Sequence, residues 1–287
     1  MKKIISVIIV VVLVTLWTGT ALAGQDKVVT LGANLTPEQR KQMLDLFGVK
    51  EGELEIIEVT IEEQRKLLKG IATDKQIGRK AYSSSLIELL DEGEGLSIQT
   101  TNITWVTKEM YANALVTAGV KDARVTVAAP FNVTGTAALT GIMKAFETAT
   151  AQPLDEEAKK IAGEELVTTG ELGEEIGKEK AGNLIKDVKE VIVAEKITDP
   201  EEIRKVIVEI AGKLDIQLSE EQIQKIISLM EKIGSLNLDF GQISGQLEGI
   251  KKHLEKISQD AGEAKGFLQK ILNALESFIG WLKNLFS

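Results

Sequence analysis

An α+β fold is predicted: a mixed α/β N-terminal sheet, then an all-α region, then a long C-terminal heptad helix. Three observations carry this. Strand-like and helix-like segments alternate between residues 28 and 148. From Asp155 onward, nearly every apolar residue recurs at helical spacing. From Ile243 to Leu285 the apolar positions advance by alternating four and three residues without a break. The chain divides accordingly into a leader (1–23), an α/β part (24–150), a helical region (151–235) and an amphipathic, coiled-coil-like C-terminal helix (236–287).

Val28 to Leu31 is a short β-branched strand. Thr36, Pro37 and Gln39 then give an N-cap, a first-turn proline and a capping-box partner, so a helix runs to Phe47 and stops at Gly48. Leu54 to Val59 is a second strand, and Thr60 with Glu63 boxes the next helix, which ends by Gly70. Tyr82–Leu90 and Leu96–Thr104 flank the acidic turn Asp91–Gly95 and read as a β-hairpin. Thr107 caps a helix through Ala118, with Gly119 as its stop. Ala123–Ala128 is a further strand that Pro130 ends, and Thr136–Thr148 is a helix rich in small residues. Gly163, Gly170, Gly173, Gly177 and Gly182 each cost roughly 1 kcal/mol inside a helix. They break the stretch after Asp155 into two short helices and a turn. Better helices follow at Lys186–Ala194, Glu201–Lys213 and Glu220–Ile233, the last boxed by Ser219 and Gln222.

The C-terminal repeat is a coiled-coil seam. Leu247, Leu254, Ala261, Leu268, Leu275 and Leu282 fill one seam position. Ile243, Ile250, Ile257, Ala264, Ile271, Phe278 and Leu285 fill the other. Leucine at the first with isoleucine at the second favours bundles above the dimer. Phe267, Leu272, Ile279, Trp281 and Phe286 widen the stripe. About ten large side chains at roughly 1.5–3 kcal/mol each exceed a typical net stability of about 5–15 kcal/mol, so this face does not stay wet. The interaction surface is therefore set at Phe267, Leu268, Ile271, Leu275, Phe278, Trp281 and Leu282. Its candidate covers are the chain's own helices, further copies, an envelope protein, or a membrane surface.

Lys2 and Lys3, the apolar run from Ile4 to Trp17 and Ala21-Leu22-Ala23 form a secretory signal peptide, to be cut after Ala23. The run is short for a membrane span. The absence of cysteine rules out disulfides, thiolate catalysis and lipoprotein anchoring. The formal net charge of −9 opposes nucleic acid.

Catalytic patterns are thin. His253, the single histidine, follows Lys251 and Lys252 and has no serine or aspartate partner in view. Ser83-Ser84-Ser85 lacks a nucleophile elbow, although Lys80 is near in sequence. Asp91–Glu94 does not match an EF-hand. No metal or cofactor is expected. Thr134, Gly135, Thr136 and Thr140 lie where a strand gives way to a helix, and free amides at such a start hold anions. They are the candidate ligand-binding residues.

Three segments, Val29–Thr36, Met110–Gly119 and Thr134–Gly141, resemble the DUF1002 family of secreted proteins of Gram-positive bacteria, over about residues 26–235. The resemblance implies an exported bacterial protein and no reaction, because the family has no assigned activity and no catalytic residues to carry over. The leading expectation is a non-catalytic binding or assembly module on the extracellular face of the cell envelope. The alternatives are an envelope hydrolase using Ser83–Ser85 or Thr134–Thr140, or a protein docking on a membrane surface through its last helix.

Overall fold

The computed structural model describes residues 26–236 and 238. The leader, and the heptad seam from Ile243 onward with its interaction surface, lie outside the described residues.

The N-terminal part runs β1 (Lys27–Gly32), α1 (Pro37–Phe47), β2 (Glu55–Val59), α2 (Ile61–Leu67), α3 (Asp74–Ile77), β3 (Ser84–Leu89), β4 (Leu96–Ile103), α4 (Lys108–Thr117), β5 (Ala123–Val133) and α5 (Thr136–Thr150). Thr36, Thr60, Thr107 and Ser219 each cap a helix by accepting from the third backbone amide, as their spacing predicts. Gly48 ends α1 in the left-handed region at φ 69°. Only α3, a single turn capped by Thr73, is an added element.

The five strands lie in the order β2-β1-β3-β5-β4. β1 is parallel to β2 and antiparallel to β3, while β5 is antiparallel to β3 and parallel to β4. Successive side chains point to opposite faces. Val28, Ile87, Val125 and Val127 therefore join the large core with α4 and α5. Val29, Leu31 and Ala128 pack on Met43, Leu44 and Phe47 of α1.

The sheet corrects two expectations. β3 and β4 are not a hairpin, because β5 lies between them. Asp122 stitches the head of β5 into their connection. Its carboxylate accepts from the amides of Gly93 at 3.0 Å and Gly95 at 2.9 Å. Its carbonyl accepts from the Leu90 amide at 2.7 Å. Pro130 also does not end β5, which continues to Val133. β3 stops pairing at Ser84 opposite Ala128, so beyond that point β5 has β4 alone on one side and a missing N–H breaks no ladder. A bulge at Asn102 (φ 59°) adjusts the register there, and its side chain donates to the Ala129 carbonyl at 2.8 Å.

The helical part comprises α6 (Glu156–Ile176), α7 (Lys178–Glu195), α8 (Pro200–Lys213) and α9 (Glu220–Ser235). Here α6 is a single rod of 21 residues, not two short helices, and the break falls at Gly177. Packing outweighs the glycine penalty. A Cβ at Gly170 would lie 2.3 Å from the Trp105 ring, whose indole N–H donates to Glu174 at 2.8 Å. A Cβ at Gly163 would lie 2.9 Å from Leu68. The core that starts under the sheet runs unbroken through α6, α7, α8 and α9 to Ile233.

Candidate functional site

The start of α5 brings together Gln64 of α2, Gln76 and Ile77 of α3, and Thr134, Gly135 and Thr136. Gly135 has φ 101°, and a Cβ there would lie 2.4 Å from Ile103 and 2.6 Å from the Tyr111 hydroxyl. That hydroxyl donates to the Gly135 carbonyl, and burial pushes the Tyr111 phenol far above its ordinary pKa. The Thr136 hydroxyl donates to the Gln76 carbonyl at 3.0 Å and accepts from Gln64 Nε2 at 2.6 Å. Gln64 uses its other amide hydrogen on the Ile77 carbonyl. Thr134 stands 3.4 Å from Thr136, oxygen to oxygen. Thr140 is a turn further along α5, and its hydroxyl, like Gln64 Oε1, is buried with no partner among the described residues. The cluster ties the α2–α3 segment to α5.

Ser83, Ser84 and Ser85 are buried. The Ser84 hydroxyl accepts from the Gly32 amide at 3.3 Å. Ser85 shares a 2.6 Å hydrogen bond with Thr30 under α5, where Gly141 leaves room: a Cβ there would lie 2.6 Å from the Thr30 hydroxyl. Lys80 is exposed.

Sequence reasoning missed an internal ion pair. Lys189 of α7 and Glu165 of α6 are both 0 % exposed, 2.8 Å apart. The Lys189 ammonium also donates to the Asn113 carbonyl at 2.8 Å and the Thr117 hydroxyl at 3.1 Å. Thr117 donates to the other Glu165 oxygen at 2.5 Å. Asn113 donates to the Gly182 carbonyl at 3.1 Å. All three ammonium hydrogens are used, and helices α4, α6 and α7 are pinned at one point. The available signal was Lys189 itself, which falls between Ile185 and Ile192 at core spacing.

A second grouping was also missed. Arg65, Lys66, Lys69, Lys75, Arg79 and Lys80 are all exposed. None of the six has an ion-pair or hydrogen-bond partner among the described residues. Over residues 61–80 these six cations face three acids, Glu62, Glu63 and Asp74, a local +3 in a chain of −9. Glu63 is already engaged, since it accepts from Lys144 at 2.6 Å and from the Thr60 amide at 2.8 Å. Partial burial works against its charge, but Lys144 and Thr60 outweigh that and hold its pKa below the ordinary glutamate value.

A mixed sheet fused through one core to a helical layer, with its candidate hydroxyls turned inward, defines an α+β protein whose signature residues are largely struts. Thr30, Gly32, Asn34, Tyr111, Asn113, Thr117, Gly135, Thr136 and Gly141 hold the fold by hydrogen bonds or close approach. The chain belongs to the family described as a protein of unknown function, DUF1002, whose model matches residues 31–250. It is similar to the uncharacterized protein YpuA of Bacillus subtilis (strain 168). The two are 39% identical over 262 residues, covering 91% of this chain and 90% of the relative. No solved structure matches it.

Proposed function

We propose that the chain is an exported, non-catalytic binding or assembly module on the extracellular face of the bacterial cell envelope. The observation that carries the reading is where the candidate nucleophiles sit. The Ser84, Ser85 and Thr136 hydroxyls are each buried and bonded within the fold, where no substrate reaches them. The sheet and helices α4 to α9 then act as a rigid body, and residues 236–287 supply the contact through Phe267, Leu268, Ile271, Leu275, Phe278, Trp281 and Leu282. Of the four candidate ligand residues, Thr136 ties the α2–α3 segment to α5 through Gln64 and Gln76.

Light scattering on the chain from Gly24, with and without Ala264–Ser287, tests this. The intact protein should assemble and the shortened one should not, and Leu268→Lys with Leu275→Lys should mimic the truncation. A monomer in both forms removes self-association through the seam. Co-sedimentation with liposomes then separates a membrane surface from a protein partner. Labelling of Ser83–Ser85 by an active-site serine probe would restore the hydrolase reading.

A further inference from the structure

We infer that the α2–α3 surface is a binding site for a flexible, phosphate-bearing anionic polymer, contacted by Arg65, Lys66, Lys69, Lys75, Arg79 and Lys80. The inference rests on the binding reading above and names a partner for a face that the heptad tail does not include.

The described cations of this chain are disposed in two ways. Elsewhere they are commonly paired: Arg40 with Glu51 and Glu58, Arg124 with Glu88, Lys159 with Glu147, Arg204 with Glu220, Lys232 with Glu164. The chain has 43 acidic residues against 34 basic ones, so carboxylates are in excess. Six cations within sixteen residues, none of them partnered among the described residues, are a departure from that pattern. Like charges so placed repel one another and cost stability unless an anion joins them.

The segment is also held in place. Ile61, Leu68 and Ile77 form a small core with Val167 of α6, and Gln64 is anchored to Thr136 of α5. The cations are therefore carried on a fixed backbone, so binding orders the ligand and these side chains but needs no ordering of the segment itself. Arg65 and Arg79 offer planar forks suited to phosphate oxygens, and the four lysines add point charges.

Two other polyanions fit less well. Residues 61–80 contain no aromatic side chain on which a nucleobase could stack. The segment's core apolar side chains point inward, and none of the exposed large apolar residues, Leu46, Phe131 and Val208, belongs to it, so nothing there inserts into a bilayer. A chain of phosphates with a flexible backbone needs neither. It can touch this patch while avoiding the acidic remainder of the surface.

The test uses the chain from Gly24 to Ser287 and long-chain inorganic polyphosphate, followed by titration calorimetry at two salt concentrations. Binding should weaken with salt, as release of counterions requires. Lys66→Glu, Lys69→Glu and Lys75→Glu together should weaken it by roughly tenfold or more. Lys121→Glu, Lys160→Glu and Lys205→Glu, an equal charge change outside the segment, should weaken it far less. Circular dichroism confirms that both variants are folded. The site is overturned if the native chain ignores polyphosphate, if the two variants lose affinity equally, or if only single-stranded DNA or phosphatidylglycerol vesicles bind. Leu268→Lys with Leu275→Lys should leave polyphosphate affinity unchanged. Failure of the tail contact and failure of this site are thus read separately.

Discussion

Two polar groupings of this protein are built in opposite ways. Around Lys189 every donor has an acceptor, the charges are sealed from water, and three helices converge. Along residues 65–80 six cations are exposed with no partner among the described residues. The first grouping serves the fold, because a buried charge is tolerable only when fully paired. The second adds nothing the fold requires. Chemistry-bearing residue types alone do not separate these roles; the state of their partners does.

The largest effect is expected from Lys189→Met. It leaves Glu165 buried without its counter-ion and should cost roughly 3–5 kcal/mol in urea unfolding. Adding Glu165→Leu should recover much of that. A full recovery would mean that the pair specifies geometry more than it stabilises. Gly170→Ala ranks next: its methyl would press on the Trp105 ring, at roughly 1–3 kcal/mol by the same measurement. In a Trp105→Leu background the penalty should shrink, which would assign it to the ring.

Glu63 stands between the two groupings, half-exposed but partnered. Its pKa in the folded protein is lowered, so the stability it adds is present above the ordinary glutamate range. That contribution is lost as pH falls toward the lowered value. Glu63→Gln should therefore flatten the acid limb of a stability–pH curve by under about 1 kcal/mol, screened as this pair is. The smallest effect belongs to the surface. Lys66→Gln, Lys69→Gln and Lys75→Gln together should move the unfolding free energy by less than about 0.5 kcal/mol per site, or raise it. A large loss would show that these lysines serve the fold after all.

Local chemistry was legible in the sequence. Thr36 with Gln39, Thr60 with Glu63, and Ser219 with Gln222 fixed helix starts because a cap acts within three residues. The order of strands and helices followed from that punctuation. What sequence could not supply was anything depending on a distant neighbour. The place of β5 between β3 and β4 rests on its pairing with both, and Asp122 joins in from 27 and 29 residues away through Gly95 and Gly93. The continuity of α6 through Gly170 depends on Trp105, 65 residues earlier. The strand-to-helix junction at the candidate threonines is legible, but the bonds of Thr136 to Gln76 and Gln64 depend on a segment 60 and 72 residues away. The basic run at 65–80 stands in the sequence itself, but the net charge of the whole chain masks it.

The threading of β5 has a consequence for a shortened chain. In a chain that ends before Ala123, β3 is open along one side and β4 has no neighbour. Such a shortened product would carry raw strand edges that recruit other chains. The eleven residues of β5 close both gaps at once, and β2 and β4 then form the two edges of the sheet.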